Sequence, residues 1–318
     1  MAPLRVRNVL KAAIRIAVSV VLIALIYYSI DFDFVAGELM NLPAWLLIWM
    51  LVSTAVAIII EIIKWRVLLP SVPFRLFFKA YMYCEFFMLA LPGQMFGEAA
   101  KIVAFGKYTG RTAESISTVV IDKMTALTAL IIIGIAGLAF SPAKLPGAFV
   151  AILLVCMIGA LGFLFSLRAG SIYRLALAVC RLPERFSPKL NNFTDRAVEV
   201  IDIWRRYLYR PMLLFKTFAY GLLLYVVIIM QYVLICRQYS IPVNTIDICW
   251  IMPVINVVQS IPVSFAGIGV RDASLVTMLG YIGVSAESAM ILAAVLFLMI
   301  IFRAIAGAVV VLTDVIKK

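Results

Sequence analysis

Apolar runs of roughly 18 or more residues recur along this chain, each long enough to cross a bilayer core as a helix. That feature leaves few folds open. Backbone amides cannot stay unpaired in lipid, so membrane-spanning segments are helices or closed barrels. The period-two alternation of barrel strands is absent. The expected fold is therefore all-α, a polytopic membrane helix bundle forming a single integral membrane domain over 1–318. Composition agrees: the chain is 65% hydrophobic and only 14% charged, against about 25% charged for a soluble domain.

Full spans are placed at about 12–30, 44–63, 115–139, 148–166, 213–236 and 286–313. The first follows Arg5, Arg7, Lys11 and Arg15, and "YYSIDFDF" comes after it with no small-residue cleavage site. It reads as an uncleaved span rather than a signal peptide. Two more apolar stretches, about 72–106 and 243–284, are broken by Pro and Gly and carry internal charges.

Lys and Arg cluster after the second span, after the first broken stretch, between Arg168 and Lys216, and at both termini. The opposite loops hold only Lys144 and Arg237, beside the acidic "DFDFVAGELM". The positive-inside rule then puts both termini in the cytoplasm of a cell inner (plasma) membrane. The bias survives only if each broken stretch starts and ends on one side, the first dipping in from the cytoplasm and the second from outside. Two full crossings per stretch also preserve it, but the second halves look short and polar. The expectation is six full spans plus two re-entrant hairpins of opposite orientation, arranged as an inverted repeat.

The loop at about 167–212 is too small for a catalytic module. Within "TDRAVEVIDIWRRYLYR", Ala197, Ile201, Trp204 and Leu208 share a helical face, and Arg196, Glu199, Asp202, Arg206 and Arg210 lie mostly around the other. This fits a cytoplasmic interfacial helix on anionic inner-leaflet lipids; the alternative is a solvated helix packed on the bundle. Topology accounts for the net charge of +12, so no nucleic-acid partner is called for.

The broken stretches read "MLALPGQMFGEAAKIVAF" and "VQSIPVSFAGIGVRDASLV". Pro92 precedes Gly97 as Pro262 precedes Gly267, and Gly269 follows in the second. Proline stops a helix and glycine permits a reversal. A new helix starting near Gly97 or Gly269 would turn its positive end toward phosphate or carboxylate. Glu98 and Asp272 either cap those helices or take part in a site.

Other charges fall at membrane depth: Asp122 and Lys123 in "VVIDKMTAL", and Arg303 in "LMIIFRAIAG". Such groups are costly and face a bundle interior or cavity. The bases Lys123, Arg271 and Arg303 roughly balance the acids Glu85, Glu98, Asp122 and Asp272. A closed internal network and a headgroup-binding cavity both follow from that balance. Glu61, Lys64 and Arg66 sit at a span end and read as snorkelling.

Histidine is absent, which removes Ser-His-Asp and His-ligated metal sites. Five scattered cysteines form no C-x-x-C and read as packing residues. There is no P-loop and no Asp-rich diphosphate motif, and "GIGVRD" lacks a third glycine and a preceding strand. No enzymatic activity, cofactor or metal is expected.

"PVSFAGIGVRDASLVTMLGYIGV", "FRAIAG", "LPGQMFGEAAKI" and "STVVIDKMTAL" together resemble the lysylphosphatidylglycerol synthase transmembrane, or flippase-like, family over nearly the whole chain. The resemblance implies an Arg-acid pair at Arg271-Asp272, an acid-base pair at Asp122-Lys123 and an arginine in the last span, Arg303. The family's first break is commonly glycine-rich with an arginine after it; here Glu98 and Lys101 follow. A lipid-flipping membrane module is implied. The best-known members are fused to an aminoacyl-transferase domain, which this sequence lacks, so lipid synthesis is not expected of it. Other members are associated with polyprenyl-linked sugars.

The leading expectation is translocation of an anionic phospholipid, aminoacyl-lipid or polyprenyl-phosphate-linked glycan carrier. Substrate contacts are expected from Arg271, Asp272, Arg303, Lys123, Asp122 and Glu98. The alternatives are a secondary transporter of a small anion, or a non-catalytic subunit partnering a glycosyltransferase or lipid-modifying enzyme in cell-envelope synthesis.

Overall fold

Proline and glycine set most of the helix boundaries. The computed structural model describes residues 37–38, 40–90, 94–141, 147–181, 191–260 and 269–316. The expected first span and Pro92, Pro262 and Gly267 lie outside the described residues. Helix α1 (Ala44–Arg66) starts directly after Pro43 and stops ahead of Pro70 and Pro73. Then come α2 (Phe74–Ala90) and α3 (Gln94–Thr109), the latter ended by Gly110 at φ +71°. That left-handed backbone suits glycine because it has no Cβ.

Helix α4 (Thr112–Phe140) is followed by α5 (Gly147–Phe165), a 3-10 turn (Ser166–Arg168), α6 (Gly170–Arg181) and α7 (Asn191–Leu208). Helix α8 (Pro211–Gln238) opens on a proline at its first position, where the missing N–H costs nothing. The rest is α9 (Thr245–Ser260), α10 (Val270–Gly280) and α11 (Ala286–Ile316). No strand occurs among the described residues. Among the described residues, four helices, α1, α4, α8 and α11, are long and apolar enough to cross a membrane. The expected span at 148–166 coincides with α5, a helix of 19 residues.

Each broken stretch is a pair of shorter helices packed on one another, α2 on α3 and α9 on α10. One carboxylate ties the outer parts of the first pair together: Asp314 near the end of α11 holds Lys79 in the first half of α2, and accepts from the Tyr108 hydroxyl at the end of α3 at 2.8 Å. The second pair begins at the other end of the bundle. There the Ser141 hydroxyl after α4 donates to Asp247 Oδ1 at 2.6 Å near the start of α9.

Two large apolar cores result, beside a small cluster of Ala57, Ile60 and Leu224. One gathers Ile62, Trp65, Phe77, Phe105 and Ile121 with Trp204 and Leu208 of α7. The other gathers Met50, Ala129, Trp250, Ile255 and Leu275 with Leu292 and Val295 of α11. The face of α7 that the sequence marks as apolar packs on α4, where Ser117 Oγ donates to Val200 O at 2.9 Å, and its Trp204 ring meets Phe163 of α5 edge-on at 4.9 Å.

Glycines let the hairpins close on the long helices. A Cβ on Gly134 would lie 2.6 Å from Pro253 Cγ of α9, and one on Gly307 2.6 Å from Met82 O and 2.8 Å from Phe86 N of α2. Gly307→Ala therefore meets backbone that cannot rotate away. We expect about 1–3 kcal/mol of lost stability, read as a lower melting midpoint in detergent. Gly280→Ala, with nothing within 4 Å, serves as a neutral control; equal midpoints for both variants would disprove the close contact.

Gly97 differs from expectation. It lies inside α3, not at a turn, because α3 already begins at Gln94. Its role is close packing: a Cβ there would sit 2.7 Å from Cys84 O. Gly269 does form a turn, at φ +83° as the N-cap of α10.

Candidate functional site: an intramembrane ion network

Between the two cores lies a band of charge built from α1, α2, α3, α4 and α11. Arg303 of α11 grips Glu85 with both arms of its fork, Nε to Oε2 at 2.8 Å and Nη2 to Oε1 at 2.7 Å. The same Nη2 lies 2.7 Å from Glu61 Oε2 of α1 and 2.7 Å from Tyr81 Oη of α2. The Tyr81 hydroxyl in turn donates to Glu61. A planar guanidinium suits this many oxygens because its donors splay in one plane.

Glu98 of α3 bridges two lysines, Lys101 at 2.9 Å and Lys123 of α4 at 2.6 Å. Lys101 lies over the Trp65 ring at 4.9 Å and the Tyr81 ring at 5.6 Å, so Tyr81 joins the Arg303 and Glu98 groups. Lys64 of α1 completes the set, 3.1 Å from Asp122 Oδ1 and 3.1 Å from the Asp122 carbonyl oxygen.

Glu61, Glu85, Glu98 and Asp122 thus face Lys64, Lys101, Lys123 and Arg303. Formal charge cancels, which is what burial demands. The network has a buried floor and an accessible rim. The side chains of Lys101 and Glu85 are each 2% exposed, whereas that of Lys123 is 52% exposed. Two cavities among the described residues, about 250 and 320 Å³, are lined by other residues.

Several sequence expectations move. Asp122 and Lys123 do not pair with each other: successive residues on a helix point about 100° apart, so Asp122 turns to Lys64 and Lys123 to Glu98. Glu61 and Lys64 do not snorkel; both turn inward, because the α1 face they share packs on the bundle. Glu98 does not cap α3, since it lies a full turn inside that helix. Lys64, Lys101, Glu61 and Tyr81 are the members that the sequence does not place in the network. A legible signal among them is the i, i+3 spacing of Glu61 and Lys64.

Arg271 and Asp272 stand apart from the band. Arg271 Nη2 donates to Asp272 Oδ1 at 2.6 Å and to Ala293 O at 3.1 Å. Asp272 Oδ2 accepts the Gly269 amide at 3.2 Å, capping α10. Ala293 and Arg303 are separated by about 15 Å along α11 at 1.5 Å per residue. The six residues expected to act together therefore form two groups.

The family described as Lysylphosphatidylglycerol synthase TM region matches residues 12–311. The chain belongs to this family. That makes it a membrane domain of a family associated with lipid and cell-envelope biosynthesis or flippase-like function. Comparison with curated proteins and with solved structures finds no match. Among the described residues, no group of three or more His, Cys, Asp or Glu is arranged to hold a metal.

Proposed function

We propose that this membrane domain translocates a lipid whose headgroup carries phosphate, and that the headgroup passes along the Lys123–Glu98 rim. The observation that carries the reading is the half-exposed Lys123 at mid-helix, held by a carboxylate with a second lysine behind it. A phosphate arriving at Lys123 exchanges for one oxygen of Glu98. Glu98 stays neutralised by Lys101, so the exchange strands no buried charge. Beside Glu98, α3 exposes Met95, Phe96 and Val103, an apolar flank for acyl or polyprenyl tails that remain in the bilayer.

Alternating access is supported by a recurring order of elements. Long helix, short, short, long occurs as α1–α4 and again as α8–α11. Exchanging the two sets converts the packing of α2 on α11 into that of α9 on α4, and α3 on α4 into α10 on α11. The hairpins start at opposite ends. This is the pattern of an inverted repeat, in which each half rocks against the other. The domain acts in the plasma membrane with its basic end toward the cytoplasm. It moves lipid without chemistry, using an existing gradient.

The test is reconstitution. Proteoliposomes should translocate fluorescent phosphatidylglycerol or a polyprenyl phosphate, and Lys123→Gln should slow this about tenfold, roughly the 1.4 kcal/mol of one weakened ionic contact, with an unchanged melting midpoint. No movement of either lipid, with or without a proton gradient, would falsify the reading. Uptake of a soluble anion in place of lipid would favour an anion transporter.

A further inference from the structure

The end of the bundle where α1 meets α7 carries a cavity of about 320 Å³. Its floor includes Leu68 and Ile203, and its walls carry Arg111, Arg206 and Arg210 with Glu114 as the one acid. Glu114 answers Arg111 alone, at 3.4 Å. Among the described residues, Arg206 and Arg210 have no carboxylate within salt-bridge distance.

Two long helices begin at this cavity. Arg111 is the N-cap of α4 and Arg210 the N-cap of α8, and neither makes a side-chain cap. Ser, Thr, Asp or Asn ordinarily occupies that position because its oxygen accepts a first-turn amide. An arginine offers no acceptor and faces the positive end of the helix dipole. Helix α8 has no acid in its first turn to offset this. Three arginines and two helix N-termini therefore line one cavity. The positive-inside bias accounts for arginine at this end. It does not account for two of them standing at N-caps that line one cavity.

We propose that this cavity is a binding site for a phosphate-bearing anion. Arg206 and Arg210 hold phosphate oxygens through their forks, Arg111 closes the edge, and the ligand's apolar part rests on Leu68 and Ile203. Tyr207 lines the cavity as well and donates its hydroxyl to Leu68 O at 2.7 Å. Burial pushes that hydroxyl up to about 12, so it stays neutral and adds no competing charge. The site is separate from the Lys123–Glu98 rim and does not depend on the transport reading. Its phosphate comes from a lipid headgroup at this surface or from a soluble phosphate or diphosphate.

The experiment uses the full chain, an Arg206→Gln/Arg210→Gln double variant and an Arg174→Gln control on exposed α6. Melting in detergent is followed against inorganic pyrophosphate. Bound lipid is counted by native mass spectrometry from nanodiscs of phosphatidylglycerol and phosphatidylcholine. A soluble ligand predicts a midpoint that climbs with pyrophosphate in the wild type and the control but not in the double variant. A lipid ligand predicts silence toward pyrophosphate and a preference for phosphatidylglycerol that falls at least about fivefold in the double variant, the factor for one basic residue at an anionic surface. The proposal is overturned if the double variant matches wild type in both readouts, or if Arg174→Gln alone reproduces its effect.

Discussion

Arg303→Ala is expected to destabilise the chain by about 3–5 kcal/mol, the range for removing one partner of a buried ion pair. The guanidinium satisfies Glu85, whose side chain is 2% exposed, and also Glu61 and Tyr81. Its loss leaves two carboxylates facing each other with no cation between them. Three helices, α1, α2 and α11, lose their shared polar contact at once. Arg303→Lys should fall between, because an ammonium keeps the charge but cannot reproduce the two-pronged grip on Glu85. The triple variant Arg303→Met with Glu61→Gln and Glu85→Gln removes all the charge and should recover most of the loss. Equilibrium unfolding in mixed micelles reads all three. A single Arg303→Ala variant as stable as wild type would show that the cluster is solvated and that the band is not a closed network.

Lys64→Ala is the second large effect, again about 3–5 kcal/mol. Lys64 is 3% exposed and reaches both the carboxylate and the carbonyl of Asp122. The neighbouring basic residue Arg66, on the opposite face and exposed, should tolerate alanine within about 0.5 kcal/mol. Adding Asp122→Asn to Lys64→Ala neutralises the stranded acid and should restore much of the difference. If Lys64 and Arg66 respond alike, Lys64 is a surface residue. Lys123→Gln contrasts with both: it costs little stability, because its ammonium sits at the rim and Lys101 still holds Glu98. Stability loss at Arg303 and Lys64 with function loss at Lys123 is the signature of a buried floor beneath a working rim.

The candidate site was legible only in part. Arg303, Lys123, Glu98 and Asp122 stand out because charge inside apolar runs is costly wherever it occurs. Arg271 and Asp272 stand out for the same reason, but their side chains close on each other and on the α10 N-terminus. Pairing was not legible. Asp122 and Lys123 are adjacent in sequence and diverge in space, while Glu61 and Arg303 are distant in sequence and touch. Lys64 looked like a span-end residue because sequence gives its distance from the helix end, not the direction of its side chain.

The sequence by itself determined the solvent and the class of fold. Apolar runs of bilayer length with few charges admit helices alone, and the Pro and Gly interruptions mark where the spanning pattern fails. Only the tertiary structure decided that each interrupted stretch supplies two helices packed on one another, that Gly97 is a packing contact and Gly269 a turn, and that eight charges cancel as one band. The reason is that helix formation is local, set by residues within a turn or two. Charge neutralisation in a membrane joins whichever faces the packed helices bring together.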